Sequence, residues 1–423
     1  MNVYLLCIVG FICLHYLLGL VDSLLNLRAL APLLPPEFAG VYDQEEYRRS
    51  QVYTRVSTSL SLVQSSTVTG LTLVFILVGG FNQVDLLARS LGLSALPTGL
   101  IFIALLALLS FVVNLPFSLY STFVLEERFG FNTTTWKTYL LDLVKTALLA
   151  VLLGGPLLGF ILWFFAVSGP LGWLYCWLAV MVFVVVVQGL APVVIMPLFN
   201  TFTPLEEGAL KEAVTTYARG QQFALQGIYT MDGSKRSTRL NAFFTGFGRF
   251  RRIVFFDTLV EKLSVAELVA ILGHEMGHYR ERHLLKMMVL SMAQTGVMFY
   301  LLSLFLGNEQ LFAAFQMEHI SVHGGLVFFG FLYAPISTLL SIGLHAVSRH
   351  HEYAADAYAV SSTGERGSMI RGLKKLSVTN LSNLTPHPFH VVLNYSHPPV
   401  LARIRALEQL ELSEQETSGE ERA

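Results

Sequence analysis

The sequence predicts an all-α polytopic membrane protein with about seven transmembrane helices and a small α/β domain on the cytoplasmic side. The first observation is composition: 53% of the 423 residues are hydrophobic and only 13% are charged, whereas soluble domains carry about 25% charged residues. The second is a set of apolar segments of about 20 residues each, the length that crosses a bilayer. The third is the distribution of Lys and Arg between the loops. A net charge of −1 gives no electrostatic basis for binding nucleic acid.

The predicted spans cover residues 3–23, 64–85, 97–117, 139–165, 171–197, 284–308 and 324–347. We treat the first span as a retained anchor, because no basic residue precedes it and no clear small-residue cleavage site follows it. Lys and Arg are frequent in the loops after odd-numbered spans and in the C-terminal tail, whereas the loop after the second span holds only Arg89. By the positive-inside rule, the odd-numbered loops and the tail are cytoplasmic.

These spans divide the chain into four parts. Residues 1–197 hold spans one to five with their cytoplasmic loops, residues 198–283 form a polar insert, residues 284–348 form a transmembrane hairpin, and residues 349–423 form the tail. The insert and the tail can hold soluble structure, and both lie on the predicted cytoplasmic side.

The insert is predicted to mix helices and strands. A helix is expected to begin at Thr203-Pro204, because acidic residues follow in its first turn. Strands are expected at residues 227–231, 241–244 and 252–256, with a glycine-containing turn at residues 245–249 between the last two. From Ser264 the pattern becomes helical.

This last helix carries a candidate metal motif, His274-Glu275-Met276-Gly277-His278. Residues four apart lie on one helical face, so His274 and His278 can bind one Zn²⁺ together. Glu275 then lies beside the open position and can take a proton from the metal-bound water. The H-E-x-x-H pattern occurs by chance in about one chain in a hundred of this size, so the motif alone leaves open a juxtamembrane helix with interfacial histidines.

The third ligand is expected beyond the transmembrane hairpin. His283 does not fit the metzincin pattern and, nine residues from His274, is predicted to face away from the metal and to lie at the interface. Glu352 follows the seventh span, which returns the chain to the cytoplasmic side. Asp356, one turn later, can accept a hydrogen bond from a ligand histidine. His350 and His351 remain rival ligands.

Two further groups are candidates for substrate chemistry. His397 and Arg403 can stabilise the oxyanion that forms when water attacks a peptide carbonyl, although a turn histidine and a solvated arginine are the ordinary interpretations. Asn241, Ala242 and Phe243 can form a sheet edge to which an extended substrate adds as a strand. An ordinary packed hairpin explains the same pattern equally well.

Several further motifs, in the same order along the chain, resemble those of the integral-membrane CaaX prenyl protease family, type I, a group of zinc metalloproteases. They are Glu126-Glu127-Arg128-Phe129-Gly130-Phe131-Asn132, Pro197-Leu198-Phe199-Asn200, Gly233-Ser234-Lys235-Arg236-Ser237, Arg252-Ile253-Val254 with Phe256-Asp257-Thr258-Leu259, and Tyr395-Ser396-His397-Pro398-Pro399. Together with the H-E-x-x-H motif, they extend from about residue 120 to about residue 405.

The resemblance implies a gluzincin-type HExxH…E site on the cytoplasmic side of seven helices that enclose a water-filled chamber. It implies one Zn²⁺ per chain, bound by His274, His278 and Glu352. Glu275 would be the general base and acid, Asp356 a supporting residue, and His397 and Arg403 would act near the substrate. The implied substrate is a peptide or protein, prenylated in eukaryotic members at the cysteine of a C-terminal CaaX sequence.

Two departures bear on the compartment. The chain is shorter than typical eukaryotic members, and its C-terminal residues form no endoplasmic-reticulum retrieval signal. Both are compatible with a bacterial relative, so the membrane is expected to be the inner membrane in a bacterium or the endoplasmic reticulum in a eukaryote, and they leave open whether the substrate is prenylated. The sequence does not indicate an oligomeric state.

Two other functions remain as alternatives. A membrane quality-control protease of the HtpX group has similar zinc ligands and fewer spans. A transporter or channel with a non-catalytic polar insert belongs to another class, and the scarcity of ionisable residues within the spans disfavours it.

Overall fold

The computed structural model describes residues 2–223, 225–245 and 252–420, and the side chains of residues 244, 245 and 411–420 are outside this description. The turn predicted at residues 245–249 therefore lies almost entirely outside the described residues. Within them, seven helices are long and apolar enough to cross a membrane, as the sequence predicts: Val3–Arg28, Gln44–Leu77, Ala95–Glu126, Trp136–Val167, Gly169–Phe199, His283–Phe305 and Val322–Thr363.

The first three spans are α1 (Val3–Arg28), α2 (Gln44–Leu77) and α4 (Ala95–Tyr120), and a short helix α3 (Gly80–Arg89) lies between α2 and α4. The predicted second span, residues 64–85, ends too late. The helix stops at Leu77 because Gly79 adopts a left-handed conformation with φ of +70°, which only glycine adopts without cost. The chain then turns into α3.

The remaining spans are interrupted in places by π-helical turns. The fourth comprises α5 (Trp136–Leu149) and α6 (Gly155–Val167), and the fifth comprises α7 (Gly172–Leu190) and α8 (Met196–Phe199). The sixth is α12 (His283–Phe305). A short helix α13 (Glu309–Ala314) connects it to α14 (Val322–Thr363), the seventh span, which continues well beyond the membrane length.

The seven spans form a closed ring in chain order. Each span contacts the next, and α14 contacts both α12 and α1, which closes the circle. Polar side chains occur between spans within the ring, where Gln64 Nε2 donates to Asn114 Oδ1 at 2.8 Å and Tyr16 and Ser66 share a hydrogen bond of 2.9 Å. Helix α14 also contacts α4 and α6, so the seventh span packs against several of the others.

One end of the ring is closed by α3 and α13. Their aromatic side chains pack with those of α4 and α14 in a buried cluster: Phe81, Phe102, Phe312, Phe315 and Phe328. Asp85 on α3, fully buried, accepts hydrogen bonds from Arg89 and from His323 at the start of α14, each at 2.7 Å. These contacts fix the cap to the seventh span.

The other end of the ring carries the domain that the insert and the tail form together. It contains four short strands, β1 (Phe202–Pro204), β2 (Gly227–Met231), β3 (Ala242–Thr245) and β4 (Arg252–Phe256), in the order β1-β2-β4-β3. Among the described residues, strand β3 pairs with β4 alone, which leaves its other side as a sheet edge. The prediction that a helix begins at Thr203-Pro204 is wrong, because these residues belong to β1 and pair with Thr230 and Tyr229 of β2.

The helices of this domain pack on the sheet and on each other. They are α9 (Ala209–Gly220), α10 (Asp257–Lys262), α11 (Val265–Arg280), α15 (Arg366–Thr379), α16 (Pro388–Asn394) and α17 (Val400–Glu420). Apolar residues of α9, α11 and β4 form one core, and residues of α11, α15 and α17 form a second one, to which the loop between α1 and α2 adds Phe38 and Tyr42. Helix α11 contributes to both cores and is therefore held on two sides.

Candidate metal centre

The helix with the H-E-x-x-H motif begins at a well-formed cap. The Ser264 side chain accepts from the backbone of Glu267, and the Glu267 side chain accepts from the backbone of Ser264, which completes a capping box. Glu267 is buried and also accepts a hydrogen bond of 2.8 Å from Lys375 on α15. The start of α11 is thereby fixed to α15, so the motif two turns later has a defined position.

His274 and His278 present their rings on one face of α11. Their Nε2 atoms are 3.1 Å apart. From α14, Glu352 places Oε1 3.2 Å from Nε2 of His278 and Oε2 3.5 Å from Nε2 of His274. The three residues thus bring one ligand atom each to a common point, and all these atoms lie within 4.8 Å of one another.

Small residues allow α11 and α14 to approach closely enough for this convergence. A methyl group added at Gly277 would lie 2.9 Å from the Cα of Ala355, and one added at Gly273 would lie 3.2 Å from the Cα of Ala359. Glycine at these positions and alanine opposite therefore let the two backbones touch. The close crossing positions Glu352 beside the two histidines.

The arrangement fits a metal ion. For a tetrahedral ion with ligand bonds of about 2 Å, neighbouring ligand atoms are about 3.3 Å apart. Here the two Nε2 atoms are 3.1 Å apart, Oε1 of Glu352 lies 3.2 Å from Nε2 of His278, and Oε2 lies 3.5 Å from Nε2 of His274. Glu352 Oε2 is buried and has no partner with hydrogen-bond geometry among the described residues. Nδ1 of His397 and Nη1 of Arg403 lie 2.9 and 3.3 Å from the same oxygen, so the fit to a metal ion rests on the types of ligand and on their spacing.

The second nitrogen of His274 is bound by a carboxylate. Nδ1 lies 2.8 Å from Oδ1 of Asp356, and Arg403 holds that carboxylate through Nε at 2.7 Å and Nη2 at 2.6 Å. Such a partner fixes the ring orientation of a metal ligand. Burial disfavours the protonated form of His274, but Asp356 and Glu352 outweigh it and raise its pKa to about 9. A metal that binds His274 at neutral pH must therefore displace a proton.

Glu275 lies in the wall of a cavity of about 150 Å³ together with His274, Glu352 and Arg403. Burial raises the pKa of Glu275, and the neighbouring histidines oppose this shift. A carboxylate with a raised pKa beside a metal group is suited to accept and return a proton.

The other predicted residues lie around the same cavity. Asn241 and Ala242 form part of its wall at the start of the edge strand β3, whereas Phe243 packs against Phe256 with ring centroids 6.2 Å apart. His397 also lines the cavity, and its Nδ1 lies 2.9 Å from Oε2 of Glu352 although the side chain is 65% exposed. The structure thus brings the predicted residues Asn241, Ala242 and His397 to the wall of this cavity, whereas Phe243 does not line it.

The prediction that His283 faces away from the motif is wrong. Arg282 has φ of +55°, so α11 ends and α12 begins at His283 in a new direction. His283 is buried, its Nδ1 lies 3.1 Å from Nδ1 of His278, and its ring stacks on His351 at 3.9 Å. Helical periodicity could not predict this contact, since α11 ends at Arg280, before His283.

The rival ligands lie elsewhere. His350 is exposed, and His351 is stacked on His283. Among the described residues, the group able to hold a metal ion comprises His274, His278 and Glu352.

Two supports of the edge strand were not singled out from the sequence. Asn380 pairs with the backbone of Leu240, accepting from its N–H at 2.9 Å and donating to its carbonyl at 3.2 Å. Arg239 forms an ion pair of 3.0 Å with Glu126. Glu126 and Arg239 lie in or beside motif segments. Nothing in the sequence indicates that these two residues, 113 positions apart, form an ion pair.

Comparison with known proteins identifies the family. A model described as peptidase family M48 matches residues 204–411, and one described as CAAX prenyl protease N-terminal, five membrane helices, matches residues 23–201. CAAX prenyl protease 1 of Saccharomyces cerevisiae is 36% identical over 405 residues, which covers 89% of this chain and 88% of that protein. This chain belongs to peptidase family M48.

Other members of family M48 extend the likeness over nearly the whole chain. The CAAX prenyl protease 1 homolog of Oryza sativa is 34% identical over 414 residues, covering 96% of this chain and 97% of the relative. The crystal structure of S. mikatae Ste24p matches with a TM-score of 0.92 at 32% identity, over 96% of this chain and 99% of that one.

Membership in family M48 makes the protein an integral-membrane metalloendopeptidase. The family implies a metal cofactor, and the ligand geometry of His274, His278 and Glu352 fits one. The transporter or channel alternative is therefore excluded, and the five-helix N-terminal match favours the CAAX protease type over the HtpX group.

Proposed function

We propose that this protein is a zinc-dependent endopeptidase that cleaves C-terminal CaaX segments of membrane-associated proteins from the cytoplasmic side. The observation that carries the proposal is the convergence of His274, His278 and Glu352 beside Glu275 and the edge strand β3 in one cavity. The names of the yeast and rice relatives support the CaaX substrate class.

The ligand set supports zinc as the metal. Two histidines and one glutamate are a known protein ligand set of catalytic Zn²⁺, which keeps its fourth position open. When bound here, Zn²⁺ would supply a Lewis acid that lowers the pKa of a water molecule and polarises the substrate carbonyl. His274 would be held in the correct orientation by Asp356, and Asp356 in turn by Arg403.

Glu275 would carry the proton in this reaction. Its carboxylate would accept a proton from the attacking water and return it to the amine that leaves. Burial, which raises its pKa, keeps the protonated state accessible for the second step.

His397 is the better placed of the two candidates for stabilising the oxyanion. It faces the cavity and is largely exposed to it, whereas Nε and Nη2 of Arg403 are already bound to Asp356. We therefore assign Arg403 to positioning the Asp356–His274 pair, and His397 to contact with the reacting carbonyl.

The edge strand supports binding of an extended substrate. Strand β3 pairs on one side only, and Asn241 and Ala242 at its start border the cavity. A substrate that added to this edge would pass directly beside the metal ligands, which is the peptide-recognition mode of strand addition.

The site lies at the end of the ring that the distribution of Lys and Arg places in the cytoplasm. This orientation would give access to proteins modified at their C-termini in the cytosol. The membrane would be the endoplasmic reticulum in a eukaryote and the inner membrane in a bacterium.

The replacement Glu275→Gln tests the mechanism. We expect the variant to bind zinc at wild-type stoichiometry and to lose peptide cleavage by about 10²- to 10⁴-fold, since the general base is removed while the ligands remain. Glu281→Gln, at the exposed end of the same helix, is the matched control and should cleave normally. Wild-type activity in Glu275→Gln would refute the assignment.

The substrate class is tested by reconstituting the purified protein in vesicles and comparing a farnesylated CaaX peptide with its unmodified form, with and without chelator. We expect cleavage after the modified cysteine, at least tenfold preference for the farnesylated peptide, and full loss of cleavage with chelator. Equal cleavage of both peptides would argue against specificity for prenylated substrates, and chelator-insensitive cleavage would remove the metal mechanism.

A further inference from the structure

A second, larger cavity adjoins the metal centre. Its volume is about 620 Å³, within the range of ligand-binding pockets. His397 lines both this cavity and the one that contains Glu275. The walls are mainly amide and hydroxyl side chains, among them Asn26, Ser57, Asn380, Asn383, Asn394 and Ser396. A cavity with such walls suits a polypeptide and not a hydrocarbon chain.

The path of a substrate along the edge strand leads into this polar cavity. Arg239 borders it, Asn241 borders the metal cavity, and β3 then runs from Ala242 to Thr245 in the other direction. A peptide paired with this edge therefore has one arm along β3 and the other in the polar cavity. In a CaaX substrate the prenylated cysteine directly precedes the cleaved bond, so the arm that carries no lipid is the C-terminal tripeptide.

Arg239 is held in a way that leaves part of its guanidinium available. Nη2 donates to Glu126 at 3.0 Å and to the hydroxyl of Tyr53. The guanidinium carbon also lies 4.2 Å from the ring centroid of Phe131. In the described part of the chain, Nε and Nη1 have no hydrogen-bond partner, and the side chain is 36% exposed.

Both histidines at this cavity lie beside acidic partners, as Arg239 lies beside Glu126. Nδ1 of His390 lies 2.7 Å from Asp22, which also accepts from Asn394 at 2.9 Å, and His397 contacts Glu352. Of the described residues that line the cavity, Arg239 is the one permanently cationic side chain. A guanidinium fixed through Nη2 still offers the N–H groups of Nη1 and Nε, each of which can donate a charge-assisted hydrogen bond to a carboxylate.

The distances are compatible with a short C-terminal arm. Three extended residues cover about 10 Å. Arg239 precedes Asn241 by two residues, or about 7 Å of backbone, and its side chain extends farther. A carboxylate three residues beyond the cleaved bond can therefore reach the free N–H groups of Arg239.

We propose that Arg239 binds the free C-terminal carboxylate of the substrate and thereby selects chains that end about three residues after the cleaved bond. This inference rests on the proposed function, because it assumes a CaaX substrate whose new cysteine terminus stays on the lipid side. In this proposal the polar cavity limits the length of the C-terminal peptide that is released.

The experiment compares two farnesylated peptides of the same sequence, one with a free C-terminal carboxylate and one with a C-terminal amide. Each is cleaved by the wild type, Arg239→Gln and Arg239→Lys in vesicles. In the wild type we expect KM for the amide to be higher by about 10- to 100-fold with little change in kcat, which is the effect of losing a hydrogen bond to a charged group. In Arg239→Gln the ratio of the two KM values should fall to about one, and Arg239→Lys should retain part of it.

The two KM values are measured on the same variant, so a partial loss of folded protein affects both equally and leaves their ratio unchanged. Arg48→Gln, an exposed arginine on α2, is the control and should keep the wild-type ratio. Inhibition by the tripeptide Val-Val-Met and by its amide gives a second reading that needs no variant, and we expect the acid to inhibit more strongly.

The outcomes separate this inference from the proposed function. A wild type that cleaves acid and amide equally, or an Arg239→Gln variant that keeps the preference, overturns the role of Arg239 and leaves the CaaX protease intact. A wild type that cleaves neither peptide overturns the proposed function and this inference with it.

Discussion

Both imidazoles of the candidate metal group are held through their second nitrogen. Asp356 contacts Nδ1 of His274 at 2.8 Å, and His283 contacts Nδ1 of His278 at 3.1 Å. Such contacts select the tautomer that leaves Nε2 free for the metal. The two rings are fixed by different means, because Asp356 is itself bound by Arg403, whereas His283 is clamped by its stack on His351.

The role of His283 can be separated from its packing. His283→Phe keeps an aromatic ring against His351 and removes the hydrogen-bond acceptor, so we expect metal affinity to fall by about 10- to 100-fold. His283→Asn places an amide near the position of Nδ1 and should recover most of the affinity. Competition with a chelator on the purified protein measures both. Wild-type affinity in His283→Phe would show that His278 needs no such support.

The planar guanidinium of Arg403 is expected to be required for full metal affinity, and a positive charge alone should not replace it. It binds both oxygens of Asp356 and lies 3.3 Å from Glu352. Arg403→Lys keeps the charge and loses the planar pair of donors, so we expect metal affinity to fall by about tenfold or more. Arg405→Lys, a largely exposed neighbour on the same helix, is the control. Equal zinc dissociation constants for the two variants would contradict this role.

At the scale of single residues, the sequence predicts those positions that depend on the spacing along one helix or on a single reversal of the chain. His274 and His278 follow from helical spacing, and Glu352 follows from the hairpin that returns the chain to the same side. His283 could not be predicted, because its position depends on the left-handed conformation of Arg282. Arg239 and Asn380 could not be predicted either, since their partners are distant in the sequence.

At the scale of elements, the metal centre depends on the crossing of α11 and α14. Gly277→Ala would place a methyl group 2.9 Å from the Cα of Ala355, a backbone atom that moves only with its helix. We expect a loss of about 1–3 kcal/mol in stability and weaker metal binding, because Glu352 is displaced. Thermal unfolding with and without added zinc measures both.

The control for this substitution lies on the other helix. Gly343 on α14 has open space where a methyl group would be added, so Gly343→Ala should leave metal binding unchanged and be neutral or stabilising by up to about 1 kcal/mol. If Gly277→Ala behaved in the same way as Gly343→Ala, the close crossing would not determine the position of Glu352.

The start of α11 gives the domain a dependence on pH. Burial would raise the pKa of Glu267, but the hydrogen bonds from Lys375 and from the Ser264 backbone outweigh it and lower the pKa below its usual value of 4.5. A carboxyl group with a lowered pKa stabilises the fold above its unfolded pKa and loses that contribution as the pH falls through the folded value. Stability should therefore decrease below about pH 4.5.

The variant Glu267→Gln tests this dependence. Glutamine can keep the capping box but not the ion pair, so we expect a loss of about 2 kcal/mol at neutral pH and a flatter decline of stability in acid. The exposed Glu261→Gln should follow the wild type. Thermal unfolding of the variants across pH 3–7 gives the comparison, and parallel curves for Glu267→Gln and the wild type would contradict the prediction.

The types and the boundaries of the elements were each predictable only in part. The strands at residues 227–231 and 252–256 have the predicted bounds, because they are short apolar runs with turns at both ends. Thr203-Pro204 was assigned to a helix from its acidic neighbours, but pairing with β2 outweighs that local preference. The second span ends eight residues earlier than predicted because Gly79 turns the chain, and hydropathy does not register such a turn.

At the scale of the whole molecule, the sequence predicts the number of spans but not their closure. Apolar length determines the seven spans, whereas the contact of α14 with both α12 and α1 is a tertiary property. The ring places the metal group at one end and the aromatic cap at the other. Access of a substrate therefore depends on which end faces the cytoplasm.

The structure and the distribution of Lys and Arg make one joint prediction about orientation. Asn2 donates a hydrogen bond of 2.7 Å to the carbonyl of Gln310, so the start of α1 and the connection between spans six and seven lie on the same side. The connection between spans six and seven contains no Lys or Arg, whereas the tail beyond α14 is rich in both. The cap should therefore be extracytoplasmic and the metal centre cytoplasmic.

Single-cysteine labelling tests this orientation in sealed vesicles, after replacement of Cys7, Cys13 and Cys176 by serine. Gln310 near the cap and Ser361 near the metal centre are both exposed side chains, so each accepts a cysteine without loss of packing. In sealed vesicles whose cytoplasmic face points outward, we expect an impermeant maleimide to label Ser361→Cys at once and Gln310→Cys only after the membrane is opened. The reverse pattern would place the metal centre outside the cytoplasm, where a cytosolic CaaX protein could not reach it, although the peptidase chemistry would be unaffected.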